Sequence, residues 1–240
     1  MDKKRLLIIT AHPDDAELMF GGTISKYKKK GNMVDIIIVT NGENWNRLGI
    51  NDSAEIISIR KAEAKKAAKV LGVDNISFLN MKDGLVESKE LITVLIGEIR
   101  KSNPNIILSH SKAEGHPDHK QVSIAVRRVC NQLGEPAPIV NPFLKYEEKP
   151  VSDFEGVFTF HLNNEGVHSS TRYLSLEKED IEKKIEAVLC HKSQFTEIEK
   201  TRDRILTEAH FNGISSGVEY AEVFDIVTAG FPVGSEMLID

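Results

Sequence analysis

Short aliphatic and β-branched runs alternate with amphipathic stretches through the first 135 residues, at Leu6 to Thr10, Met33 to Thr40, Ile76 to Leu79 and Ile106 to Ser109. Strands separated by helices in that order predict βαβ units and a parallel sheet. The helical stretches carry their own start and stop signals. The first runs from about Pro13 to Lys30 and stops at Gly31, where a glycine accepts positive φ without a Cβ clash. Asp52 can cap the second, with Glu55 three residues on and Ile56, Ile59, Ala62, Glu63, Ala67 and Val70 tracing mostly one face up to Gly72. Ser88 can cap a third reaching about Ser102, and a fourth spans Pro117 to Leu133 before Gly134. The predicted fold is a Rossmann-like, doubly wound α/β sheet, mostly parallel, with strand order 3-2-1-4-5.

Pro136, Pro138 and Pro142 mark an irregular connection into a smaller C-terminal α/β extension. Its expected elements are strands near Val157 to Leu162 and Arg172 to Leu176, helices near Glu177 to Lys192 and Thr196 to Phe211, and a last strand near Tyr220 to Val227. A chain of 240 residues has room for one large domain or two small ones. We expect a single domain over 1–240, with a core at 1–135 and an extension at 142–240 that closes over the substrate side. The longest apolar runs, Leu6 to Ile9 and Ile36 to Val39, fall far short of the roughly 18 residues of a membrane span. Cys130 and Cys190 are too few for a disulfide framework, so the cytoplasm is the expected compartment. A net charge of −5 leaves no basic footprint for nucleic acid.

Two segments carry chemistry: Ala11-His12-Pro13-Asp14-Asp15 directly after the first strand, and His116-Pro117-Asp118-His119 just after the fourth. Each places His-Pro-Asp where a strand gives way to a helix, and proline suits the first helical position because it lacks an N–H that would have no partner there. His12 and Asp15 then lie three apart across a first helical turn, as do His116 and His119, so each pair can converge on one point. Asp14 and Asp15 sit where a helix N-terminus favours negative charge, usable as a base and a ligand. With the predicted strand order, strands one and four are neighbours where the winding reverses, and the two segments face each other across that crevice. Two imidazoles and one carboxylate with an open position make a catalytic zinc site, and the same set suits Fe(II).

These residues, with Ala16-Glu17 and Gly21-Gly22-Thr23-Ile24, resemble the LmbE/PIG-L family of metal-dependent N-deacetylases acting on N-acetylglucosamine derivatives. The resemblance extends over nearly the whole chain, through Thr40-Asn41-Gly42-Glu43, Arg60 with Glu63, Leu71-Gly72-Val73, Asp83-Gly84, Lys184, His191-Lys192-Ser193-Gln194 and Tyr220-Ala221-Glu222-Val223-Phe224. It implies that His12, Asp15 and His119 bind one divalent metal, zinc first and Fe(II) second. It implies Asp14 as general base, His116 as general acid, and Arg60 and Asp83 as residues lining the sugar site. Asp118 is placed to orient the His116 imidazole. Some members carry a tyrosine two residues before the first histidine of the second segment, where it can donate to the oxyanion. This chain has Glu114, which cannot do so while ionised, and Tyr146, Tyr173 and Arg172 are the candidate replacements.

His110 reads first as a satisfied buried histidine and second as a partner behind the site, His191 as structural or as a partner behind the site, and His161, His168 and His210 as surface or loop residues. Trp45 either stacks on sugar or pins its own loop. The expected partner is a small N-acetylglucosamine-type substrate, without nucleic acid or membrane, and homo-oligomerisation is left open. The alternatives are a receiver-like phosphoacceptor module, whose acidic pocket would give the two later histidines no purpose, and a non-catalytic sugar-binding relative. A dinucleotide site fails because no Gly-x-Gly-x-x-Gly follows the first strand.

Overall fold

A computed structural model describes residues 3–133, 149–160 and 171–227. β1 (Arg5–Thr10) lies between β2 (Met33–Thr40) and β4 (Ile106–Ser109), with β3 (Asn75–Met81) beyond β2. The four strands run parallel, Ile8 being level with Ile36 and Leu108, and Ile9 with Ile37 and Ser109. Successive side chains of a strand point to opposite faces. Leu6 and Ile8 therefore pack with α1 (Asp15–Lys29) and α2 (Ser53–Leu71) through Phe20, Ile24, Ala64 and Ala67. Leu7 and Ile9 pack on the other face with α3 (Ser88–Ser102) and α4 (Pro117–Cys130) through Leu91, Leu95, Val122 and Val126. Burial on both faces is why β1 and β2 read as unbroken apolar runs rather than alternating ones. The winding reverses between β1 and β4.

β5 (Gly156–Phe160) continues the parallel set beside β4, then β7 (Tyr220–Val227) pairs antiparallel with β5, and β6 (Thr171–Leu176) antiparallel with β7. The full order is β3-β2-β1-β4-β5-β7-β6. The expected 3-2-1-4-5 covers the first five strands. The last two were not placed by sequence pattern; they extend the same sheet because Val157 to Phe160 offers β7 a free edge.

Several boundaries differ from expectation. α4 stops at Cys130 rather than Leu133; Gly134, Pro136, Pro138 and Pro142 lie outside the described residues, as do 161–162 of the expected fifth strand. Ser88 opens α3 without capping it, Glu87 holding the cap position with no side-chain bond, whereas Asp52 caps α2 by accepting from the Ala54 amide. α5 (Lys178–Val188) ends before His191, and α6 (Ile198–Ser216) runs past Phe211, with Gly217 as its C-cap. Cys130 and Cys190 are free and buried, and among the described residues no helix is long and apolar enough to cross a membrane.

A buried polar joint holds α1 against α5 and β7. The Glu222 carboxylate accepts from the Gly22 and Thr23 amides and the Thr23 hydroxyl of α1, and its Oε1 takes a 2.8 Å bond from Lys184 Nζ of α5. Gly22 is what lets these elements approach, since a Cβ there would collide with Leu176 and Glu222. Removing one partner of a buried ion pair leaves an uncompensated charge, at a cost of about 3–5 kcal/mol. Lys184→Met should lose that much in urea unfolding, while Lys183→Met, which removes only an exposed pair with Glu186, should stay within about 0.5 kcal/mol of the parent.

Candidate metal centre

The carboxyl ends of β1 and β4 deliver the two His-Pro-Asp segments to one place. Asp15 begins α1, and its Oδ2 turns back to accept from the His12 amide at 2.7 Å. Across the crevice, Pro117 opens α4 and His116 is its N-cap, Nδ1 accepting from the Asp118 amide at 3.3 Å. His119 follows within that first turn and meets the β1 side. His12 Nδ1 lies 3.1 Å from His119 Nε2, and each of these nitrogens lies 3.3 Å from Asp15 Oδ2. Ligand atoms about 2.0–2.1 Å from a tetrahedral zinc sit roughly 3.3 Å apart. The triangle of His12, Asp15 and His119 therefore has the dimensions and the N, N, O chemistry of a divalent-metal site.

His12 uses both ring nitrogens. While Nδ1 faces the triangle, Nε2 lies 3.2 Å from Asp83 Oδ1 and 3.4 Å from Asp118 Oδ2. Asp83 is itself held by the Asn44 amide at 3.0 Å, and Asp118 by the Gly84 and Val86 amides. The structure thus places the Asp118 carboxylate on His12 and on the loop after β3, not on the His116 ring that it was expected to orient. A metal-bound histidine commonly carries a carboxylate on its second nitrogen, which fixes ring and tautomer. Asp83 and Asp118 stand where that partner would be.

Asp14 is the N-cap of α1 but caps no amide with its side chain. Its Oδ1 instead takes a 2.7 Å bond from Arg60, whose side chain is 3% exposed and also donates to the Gly42 carbonyl. Gly42 has φ +68°, and a Cβ there would strike the guanidinium. Arg60 and Asp83, expected to line a sugar site, are both buried and committed to Asp14 and His12.

The electrostatics follow from this crowding of carboxylates. Burial opposes charge on His12, but Asp15, Asp118 and Asp83 push its pKa up to about 12. Burial likewise opposes charge on His119, and Asp15 and Glu114 push it up to about 9. Burial works against an ionised Asp15, yet His119 and His12 hold it well below the usual carboxylate range, and Asp118 is lowered by His12 and the Gly84 and Val86 amides. His116, the exposed member of the set, is lowered by partial burial and by repulsion from His12 and His119. Its ring centroid lies 4.7 Å from that of His12 and 4.8 Å from that of His119.

Two buried histidines take places that the sequence reading allowed for them, His110 as a satisfied buried ring and His191 as a structural partner behind the site. His110 is fully buried at the end of β4, accepts the Ala11 amide at Nε2, and stacks on His119 at 3.9 Å between centroids. Its position one residue past a strand that ends at the switch point was the available signal. His191 lies 3.3 Å from Glu17 beneath the start of α1, while Ser193 bonds Glu63 of α2 and Gln194 bonds the Trp45 carbonyl. That segment ties α1, α2 and the loop after β2 together. The Trp45 ring is 64% exposed and so does not pin its loop; its carbonyl does that work. His210 is exposed, as expected. Arg172 and Tyr173 lie on edge strand β6, three strand spacings or about 14 Å from β4, too far to serve the oxyanion. Tyr146, His161 and His168 lie outside the described residues.

The chain is similar to known proteins along most of its length. A family model described as PIG-L, GlcNAc-PI de-N-acetylase, matches residues 7–130. Diacetylchitobiose deacetylase of Thermococcus kodakarensis is 30% identical over 227 residues, covering 92% of this chain and 82% of the relative. A probable N-acetyl-alpha-D-glucosaminyl L-malate deacetylase 2 of Bacillus anthracis is 26% identical, covering 92% and 93%. Among solved structures, the N,N'-diacetylchitobiose deacetylase of Pyrococcus horikoshii superposes with a TM-score of 0.83 at 28% identity, over 95% of this chain and 85% of that one.

The site's charges predict how metal-free protein responds to pH. Raised histidine values stabilise the fold fully below their ordinary value of 6.5, and that support is lost as pH climbs through about 9 for His119 and toward about 12 for His12. The lowered Asp15 and Asp118 contribute support above their ordinary value of 3.8 that is lost in acid. Chelator-treated protein should therefore melt highest between about pH 4 and 6.5 and progressively lower from about pH 7 to 10. Asp15→Asn should flatten the alkaline fall. A melting temperature independent of pH across that range would contradict this electrostatic account.

Proposed function

Because the chain belongs to the PIG-L family, we propose that it is a metal-dependent hydrolase that removes the N-acetyl group from an N-acetylglucosamine derivative. The observation that carries this reading is the 3.1 to 3.3 Å triangle of His12, Asp15 and His119, next in sequence to Asp14, which Arg60 holds. In this reading those three residues hold one divalent ion, zinc first and Fe(II) second. Bound there, such an ion would polarise the amide carbonyl and acidify a water molecule.

The chain's own residues supply the proton chemistry. Arg60 holds one oxygen of Asp14, and the other, which caps no helix amide, is left to take a proton from the attacking water. His116 accepts the Asp118 amide at Nδ1, so in the neutral ring the proton sits on Nε2. That N–H can donate to the carbonyl oxygen as charge develops on it. To protonate the leaving nitrogen the ring must first take a second proton at Nδ1 from solvent on its exposed side, which gives up a contact of 3.3 Å, already long for a hydrogen bond, and the proton taken by Asp14 returns to solvent as acetate leaves. Arg60 and Asp83 act in this scheme by holding Asp14 and His12. The exposed side chains of Trp45 and Leu85, on the loops after β2 and β3, are available to the sugar and its aglycone. The loops, and with them the C-terminal segment that binds the Trp45 carbonyl, form one catalytic unit with the core.

Zinc-loaded protein should release acetate from members of a panel of N-acetylglucosamine conjugates, with about one ion per chain by elemental analysis. Asp14→Asn should keep the ion and lose about 10²–10⁴-fold in turnover, the range of a positioned general base. Normal turnover in that variant sinks the assignment of the base. Binding of the sugars without acetate release by the parent protein would favour a non-catalytic relative.

A further inference from the structure

Glu114 lies two residues before His116 and five before His119. The structure surrounds Glu114 with an unexpected neighbour. Its Oε2 lies 3.3 Å from Nδ1 of His119, and both side chains are only 12% exposed. Burying a carboxylate is costly without a compensating partner, and Asp15, Asp83 and Asp118 already crowd this site. His119 is the partner within reach.

The protons of the two rings can be assigned from their contacts. His12 Nε2 faces the carboxylates of Asp83 and Asp118, so it carries a proton. His12 Nδ1 and His119 Nε2 both face Asp15 Oδ2 at 3.3 Å and are the nitrogens that would bind the ion. With Nε2 given to a metal, the one proton of the His119 ring sits on Nδ1, the nitrogen beside Glu114. That Nδ1 is buried and has no aligned hydrogen-bond partner among the described residues, so a small rotation of the glutamate completes the contact.

We propose that Glu114 is a positioning residue for the metal centre: it takes the His119 Nδ1 proton and pins the tautomer whose Nε2 lone pair faces His12 and Asp15. The proposal rests on the reading that His12, Asp15 and His119 hold a divalent ion. It gives each histidine of the triangle a carboxylate behind it, Asp83 and Asp118 for His12 and Glu114 for His119.

The test is zinc(II) affinity by competition with a chromophoric chelator, together with the visible spectrum of the cobalt(II) form. Glu114→Leu should weaken zinc binding about 10–100-fold, the range for losing such an outer partner. Glu114→Gln, whose amide oxygen still accepts the N–H, should recover part of that loss. The cobalt bands of Glu114→Leu at saturation should shift or broaden, as a less constrained imidazole would require, while circular dichroism shows the variants folded at the temperature of the assay. Zinc affinity within twofold of the parent in Glu114→Leu, with unchanged cobalt bands, overturns the positioning role alone. A parent protein that binds no zinc, or an Asp15→Asn variant that binds it as well as the parent, overturns the ligand assignment beneath it.

Discussion

The parallel pairing of β1 with β4 is the constraint on which the site depends. These two strands are not adjacent in sequence, and they become neighbours only because the chain winds outward through β2 and β3 and then returns on the opposite face. With Ile9 level with Ser109, the residues that follow each strand leave the sheet at the same height, and His12, Asp15 and His119 meet within 3.3 Å. A shift of two residues along that pairing would move one segment by about 7 Å and separate the donors. The apolar side chains on both faces of β1, Leu6 and Ile8 toward one core and Leu7 and Ile9 toward the other, hold the register.

Around that meeting point the chain assembles more negative charge than it balances. Asp14, Asp15, Asp83, Asp118 and Glu114 stand among four imidazoles, of which His110 and His116 are lowered away from charge, and one guanidinium, that of Arg60, which is spent on Asp14. In the metal-free protein the deficit is met by protons, which is why His12 and His119 are pushed upward and Asp15 and Asp118 downward. A divalent cation meets the same demand with two charges at one point, so the electrostatic arrangement and the donor geometry agree on what the centre would take. The second face of His12, against Asp83 and Asp118, shows that the loop after β3 belongs to the centre as much as the two His-Pro-Asp segments do.

Much of this was legible in the sequence, for reasons that differ by element. β1, β2 and β4 announce themselves because a strand buried on both faces needs an unbroken apolar run, and α2 because Asp52 and Gly72 mark its ends with side-chain and backbone chemistry that acts locally. The positions of β6 and β7 were not legible, since pairing across an open sheet edge is decided by the edge that β5 leaves free rather than by local pattern. Among site residues, His12, Asp14, Asp15, His116 and His119 stand in motifs whose spacing is itself the geometry. Asp118 stands in the same motif, but its carboxylate points away from its sequence neighbour to a residue of β1's loop.

The sequence by itself determined the doubly wound core, the two strand-to-helix junctions and the types of side chain at them, because hydrophobic period, helix caps and i, i+3 spacing act over a few residues. Only the tertiary structure decided which carboxylate serves which histidine, that Arg60 holds Asp14, that His110 lies stacked under His119, and that Glu114 backs the same ring. Those contacts join residues brought together by the sheet, and burial sets their strength: the same charges in water would be screened into indifference, whereas between β1 and β4 each must find a partner.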